Sequence, residues 1–138
     1  MKGLKNKLKE KKGFTLIEMI IVIAIIAILI ALIAPNLQKF LNTAKQTKSD
    51  AAAKTLYTAT STYIVDQYAN GSPVDTTNKT WTQDSIPAAL KNDYFNENEI
   101  KEGVTYEIKF DADGNISQVE WHEDGFDGVY PKGADTAE

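Results

Sequence analysis

From Phe14 to Ala34 every position is apolar except Thr15 and Glu18, and Glu18 is the only charge in those 21 residues. As a helix this run is roughly 31 Å long, about the thickness of a bilayer's hydrocarbon core. It is apolar all round, so it must be surrounded by lipid or by other helices. Pro35 follows, which removes one helical hydrogen bond and crowds the turn before it. Helical spacing nevertheless resumes at once, so the helix is expected to continue past it. Leu37, Leu41, Ala44, Ala52, Leu56, Ala59 and Tyr63 recur at steps near three and four, with Lys48 interrupting. Lys39, Lys45, Asp50 and Lys54 take the opposite face. This is an amphipathic helix laid on something apolar, ending near Asn70-Gly71.

Residues 70–82 are rich in Gly, Ser, Pro, Asn and Thr and read as a loop. Asp84 or Ser85 could cap a short helix through Ala88, Ala89 and Leu90, with Pro87 in its first turn. From Val104 to Phe110 the pattern alternates strictly. Val104, Tyr106, Ile108 and Phe110 share one face, and Thr105, Glu107 and Lys109 the other. Asp111-Ala112-Asp113-Gly114 makes a turn, and Ile116, Val119 and Trp121 continue into a second strand. The apolar face of this hairpin would cover the helix from Leu41 to Tyr63. Two strands alone are marginal, so a third is expected from 93–101 or from Gly128-Val129-Tyr130. The tail from Pro131 to Glu138 reads as short, polar and loose.

The 138 residues suffice for one domain. The net charge of −4 conceals an asymmetry. Residues 1–13 hold six lysines against Glu10, a balance of +5. The other nine lysines and 18 acidic residues leave −9 on residues 14–138. An acidic body argues against direct nucleic-acid binding. The lysine-rich flank should stay in the cytoplasm, which sends the rest of the chain outward.

A lysine-rich start before an apolar run also opens a secretory signal peptide, but here the run is longer than usual and the one site after it, at Ala34, precedes Pro35. A plain signal anchor explains the run but not Glu18. An ionisable group inside an apolar span is costly and points to a partner. If the chain were cut between Gly13 and Phe14, the new α-amine would lie near Glu18, on its own helix or a neighbour's.

Lys11-Lys12-Gly13 followed by Phe14-Thr15-Leu16-Ile17-Glu18 resembles the class III signal of type IV pilins and their pseudopilin relatives. The close resemblance covers about Lys11 to Leu41. It implies an α+β pilin fold, a lollipop in which a long N-terminal helix is exposed in its first half and packs by its second half on a small antiparallel sheet. It implies a cleaved cytoplasmic leader at 1–13, a transmembrane and filament-core helix at 14–35, and a globular head at 36–138. A prepilin peptidase would cut after Gly13 and methylate the amine of Phe14. Glu18, with Thr15 and Pro35, would serve assembly into a homo-oligomeric helical filament. An assembly ATPase and a platform protein would be further partners. The chain would sit in the bacterial cytoplasmic membrane first and at the cell surface afterwards, in a pilus for adhesion and motility. The alternatives are a pseudopilin of a competence or type II secretion system and, from another class, a signal-anchored binding module. Two departures stand out. Many relatives carry a glycine within the apolar run, and this chain has none there. Many Gram-negative pilins close a C-terminal loop with two cysteines, and the lack of cysteine here leans towards a Gram-positive source.

No enzyme is expected. His122 is the only histidine, no Gly-x-Ser-x-Gly element or phosphate-binding glycine loop occurs, and His122 reads as a solvated strand residue. No cofactor is expected apart from calcium, which two acidic patches could bind: Asp111, Asp113 and Asn115, and Glu123, Asp124 and Asp127. Neither has the full calcium-loop spacing, and the Asp and Gly of the first serve a turn. Trp81, Tyr94, Tyr106, Trp121, Phe126 and Tyr130 read as core.

Overall fold

The computed structural model describes residues 13–133. Of the leader expected at 1–13 only Gly13 falls within it, and the end of the loose tail expected at 131–138 lies outside the described residues. The chain divides into two compact units, one ending at Leu41 and one beginning at Asn42.

One helix, α1 (Leu16–Ala69), contains Pro35 without ending there, as the spacing predicts. In the first unit its apolar residues are exposed throughout. Its end is fixed by backbone chemistry. Gly71 adopts φ +73°, the Gly71 N–H donates to the Tyr68 carbonyl at 3.2 Å, and the Ser72 N–H donates to the Gln67 carbonyl at 2.9 Å. These two bonds satisfy carbonyls that the helix would otherwise strand, and glycine takes the left-handed residue at no steric cost.

In the second unit four antiparallel strands lie in chain order: β1 (Thr80–Thr82), β2 (Thr105–Phe110), β3 (Ile116–Glu123) and β4 (Phe126–Tyr130). The expected hairpin is β2–β3, and the expected strand at 128–130 is the end of β4. The segment 93–101 is not a strand. It takes in the end of a π-helical turn (Leu90–Tyr94) and a 3₁₀ turn (Glu97–Glu99). The expected loop at 70–82 ends in β1, whose Trp81 pairs with Ile108. The helix expected through Ala88, Ala89 and Leu90 forms and runs on into the π-helical turn, but without the cap expected from Asp84 or Ser85. The Ser85 hydroxyl accepts the Thr82 N–H at 2.8 Å, closing a turn behind it, and the π-helical turn starts after Ala89 with no side-chain cap.

The alternation of β3 shifts by one residue near its start. Ile116 and Val119 are an odd number of residues apart, yet both face the core. The register steps from Lys109↔Gln118 to Phe110↔Ile116, leaving Ser117 as an extra residue, and its hydroxyl donates to the Lys109 carbonyl at 3.0 Å. This bulge returns Ile116 to the apolar face.

Val104, Tyr106, Ile108, Phe110, Val119 and Trp121 form the core with Ala53, Leu56 and Tyr63 of α1. The buried seam of the helix is Ser49, Ala53, Leu56, Thr60 and Tyr63. It starts later than expected, since Leu37, Leu41 and Ala44 are exposed. It also uses small polar residues. The buried Thr60 hydroxyl donates to the Leu56 carbonyl at 2.8 Å, so it costs no orphaned group. Asp50 is not on a solvent face. Its carboxylate accepts the Val129 N–H at 3.2 Å, and Gln46 Nε2 donates to the Asp127 carbonyl at 2.7 Å. Two helix side chains thus occupy the outer edge of β4, where a further strand could otherwise pair. Between them Gly128 meets α1 backbone to backbone: a Cβ there would lie 2.0 Å from the Ser49 carbonyl oxygen.

Candidate functional site

The segment that the sequence singles out starts α1. Gly13 lies ahead of the helix in open space, and the Phe14 ring is 81% exposed. Thr15 and Glu18 form a reciprocal cap. The Glu18 N–H donates to Thr15 Oγ1 at 3.3 Å, and the Thr15 N–H donates to Glu18 Oε2 at 3.1 Å. A helix start leaves its first N–H groups without partners, and this pairing satisfies two of them. The carboxylate also sits at the positive end of the helix dipole, where negative charge is favoured. Both residues were singled out in the sequence, but their bond to each other was not. Thr-x-x-Glu ahead of an apolar run was the signal for it. Pro35, the third assembly candidate, lies about five turns further along α1.

The run behind the cap is long and apolar enough to cross a membrane, and none of its most apolar stretch is buried. Its large side chains, from Leu16 to Ile33, stand exposed. Residues 15–34 therefore hold a cap with an exposed acid and a surface made almost wholly of Ile, Leu, Val and Ala.

The acidic patches of the second unit serve its own structure. Asp111 Oδ1 accepts the N–H groups of Asp113 and Asn115, each at 2.9 Å, which folds the hairpin turn. Glu123, only 7% exposed, accepts from Lys48 Nζ at 2.5 Å and from the Trp121 indole N–H at 3.2 Å. The Lys48 hydrogen bond is the main reason its carboxyl lies below the usual glutamate range; burial opposes the shift. Asp124 pairs with Lys101 at 3.1 Å, which also lowers its carboxyl. His122 is half-buried, with Nδ1 2.6 Å from Asp127 Oδ1. The Tyr106 hydroxyl donates to Glu97 at 3.2 Å, and burial raises it well above the usual tyrosine range.

The aromatic residues expected in the core divide. Trp81, Tyr106 and Trp121 are buried, with Tyr106 stacked on Trp121 at 5.8 Å, and Tyr94 packs edge-on to Tyr63 at 5.5 Å. Phe126 and Tyr130 lie nearer the surface, under Lys45 and Lys54 at 5.9 and 5.7 Å.

Residues 8–34 match the family model described as the prokaryotic N-terminal methylation motif. Over 58 residues the chain is 45% identical to a type IV major pilin protein, PilA, of Myxococcus xanthus, covering 42% of this chain and 26% of that one. Over 94 residues it is 36% identical to a type IV major pilin protein, PilE1, of Neisseria gonorrhoeae, covering 68% of this chain and 54% of that one. The chain thus spans about a quarter and about half of these relatives. Neither match supports the leaning to a Gram-positive source. No solved structure gives a significant match. With its methylation motif, its apolar N-terminal helix and its antiparallel sheet, the chain is similar to type IV pilins in sequence and in plan.

Proposed function

We propose that this chain is the structural subunit of a bacterial type IV pilus, anchored in the cytoplasmic membrane by residues 14–35 and carrying residues 36–138 outside. The observation that carries this is the exposed apolar run of α1 with one carboxylate, Glu18, at its head. A surface of Ile, Leu, Val and Ala suits lipid tails and a bundle of like helices equally. A subunit can therefore pass from membrane to filament core without presenting that surface to water. Cleavage after Gly13 turns the Phe14 nitrogen into an amine, which is then methylated. Glu18 pairs with the amine of a neighbouring subunit as the filament grows, since a carboxylate among apolar helices is costly unless paired. A prepilin peptidase, an assembly ATPase and a platform protein act on the chain in this scheme. Its role is structural rather than catalytic.

The relatives' naming as major pilins favours a pilus over a pseudopilus. Mass spectrometry of the N-terminal peptide in a sheared cell-surface fraction tests it. A peptide starting at methylated Phe14 is expected there. The same peptide confined to the membrane fraction would favour a pseudopilin, and a chain still starting near Met1 would favour the unprocessed signal anchor.

A further inference from the structure

Among the described residues of the second unit, the large apolar side chains left exposed are Val65 and Tyr68, at 65% and 77%. They stand three residues apart on the last turns of α1, so they share one flank of the helix. Ile64 and Val65 line a shallow cavity with Gly114 and Asn115, which brings this flank against the turn between β2 and β3. Asp113 lies exposed in that turn. Its N–H donates to Asp111 Oδ1, but its carboxylate has no partner among the described residues. This end of the unit thus carries an apolar knob with an unpaired negative charge beside it.

A hollow of about 380 Å³ lies nearer the start of the unit, between α1 and β4. Thr47, Ala51, Lys54, Val129, Tyr130 and Lys132 line it, and its surface is almost wholly apolar. Asp50, also in its wall, is taken by Lys132 at 2.8 Å. Lys54 lies over the Tyr130 ring and meets no carboxylate among the described residues. Val65 follows Ala51 by 14 residues, which is roughly 21 Å along a helix and about 40° around it. Knob and hollow therefore lie on one flank of α1, at two heights.

We propose that the hollow receives Val65 and Tyr68 of a second copy of this chain, with Asp113 of that copy set against Lys54. The proposal rests on the reading of the chain as a filament subunit and names the surfaces that meet. The charges are complementary, since the hollow holds two lysines against Asp50 while the knob adjoins an unpaired carboxylate. A tyrosine suits such a place, with an apolar ring for the wall and a hydroxyl for the polar mouth. The occupant is a set of side chains and not an added strand, because Asp50 and Gln46 already hold the outer edge of β4. The two patches differ, so the contact is heterologous: each copy offers its knob to one neighbour and its hollow to another. Copies anchored in one membrane share a direction, so they do not close into an antiparallel pair. Each contact sets the next copy about 21 Å further along the helix direction, and its repetition extends a filament.

The test is photocrosslinking in cells that make the full chain, with p-benzoylphenylalanine in place of Tyr68, followed by peptide mass spectrometry of the sheared surface fraction. Crosslinks between two copies, from position 68 to peptides holding Ala51 or Tyr130, are expected. Crosslinks to other surfaces of the chain, to a different protein only, or none at all in filaments that form, would overturn the proposal and leave the filament reading standing. Charge exchange gives a second readout with natural side chains. Lys54→Glu and Asp113→Lys should each lower the yield of sheared filaments several-fold, and the double variant should regain it. Both side chains are exposed, so the amount of chain held in the membrane should stay the same in all three. A full yield from Lys54→Glu, or no recovery in the double variant, would overturn the pairing of these surfaces. A parent chain found only in the membrane, with no sheared filaments, would overturn the filament reading and this proposal with it.

Discussion

Glu18 has one partner in the structure, and the proposed cleavage would create a second. In the intact chain its carboxylate accepts the Thr15 N–H. After cleavage an amine one residue upstream would compete for it, on the same helix or on a neighbour. The two roles separate by substitution, because glutamine completes a capping box as glutamate does but carries no charge. Glu18→Gln should therefore keep the helix start and membrane retention yet assemble poorly, whereas Glu18→Ala should also lose a cap of about 1 kcal/mol. Surface filaments counted by electron microscopy decide between them, and normal filaments from Glu18→Gln would mean that capping alone suffices. Gly13→Leu should block processing, and a mature-sized band from that variant would refute the assigned cut. The acid and its place at the head of the apolar run are legible in the sequence. The cap is legible too, as Thr-x-x-Glu ahead of an apolar run.

At the scale of elements, strict alternation made β2 readable and the turn residues made its hairpin readable. Three residues of β1 are too few to show a period, so Thr80–Thr82 passed for the end of a loop. The helix seam starts later than the pattern predicts, because Ser49 and Thr60 are polar by type while Leu37 and Leu41 are apolar yet exposed. Small size and a local carbonyl partner are what let a hydroxyl into that seam. The contact no pattern could reveal is Gly128 against Ser49, because it depends on how closely a strand approaches a helix. A methyl group there must push backbone rather than a mobile side chain. Gly128→Ala should cost on the order of 1–3 kcal/mol or more by overpacking. It should also weaken the Asp50 and Gln46 bonds to the edge of β4. Thermal unfolding of the full chain in detergent, followed through the buried Trp81 and Trp121, measures this; an unchanged midpoint would mean that β4 can move off the helix freely.

At the scale of the whole second unit, carboxylates clamp the sheet to the helix, and this makes acid its natural denaturant. Glu123 ties β3 to Lys48 of α1, and Asp50 of α1 ties down β4 and Lys132. Burial alone would push the Asp50 carboxyl up, but the bonds from Lys132 and the Val129 N–H, with the lysine's charge, bring it below its ordinary value of 3.8. Glu123 lies below its ordinary value of 4.5 for the reasons given above. A carboxyl that is more acidic folded than unfolded binds fewer protons in the native state. Its stabilising contribution is complete above the unfolded value and is lost as pH falls through the folded one. The unit should therefore hold constant stability from neutral pH down to about 5 and lose it progressively below about 4. Glu123→Gln should unfold at a lower temperature at pH 7, because Lys48 loses its charged partner. Its midpoint should then change less than the parent's between pH 5 and pH 3, since one of the titrating clamps is gone. Midpoints measured at pH 7, 5 and 3 for both chains make the comparison. Parallel curves for the two would mean that Glu123 titrates alike in the folded and unfolded chain, and that the clamp on Lys48 contributes nothing to acid sensitivity.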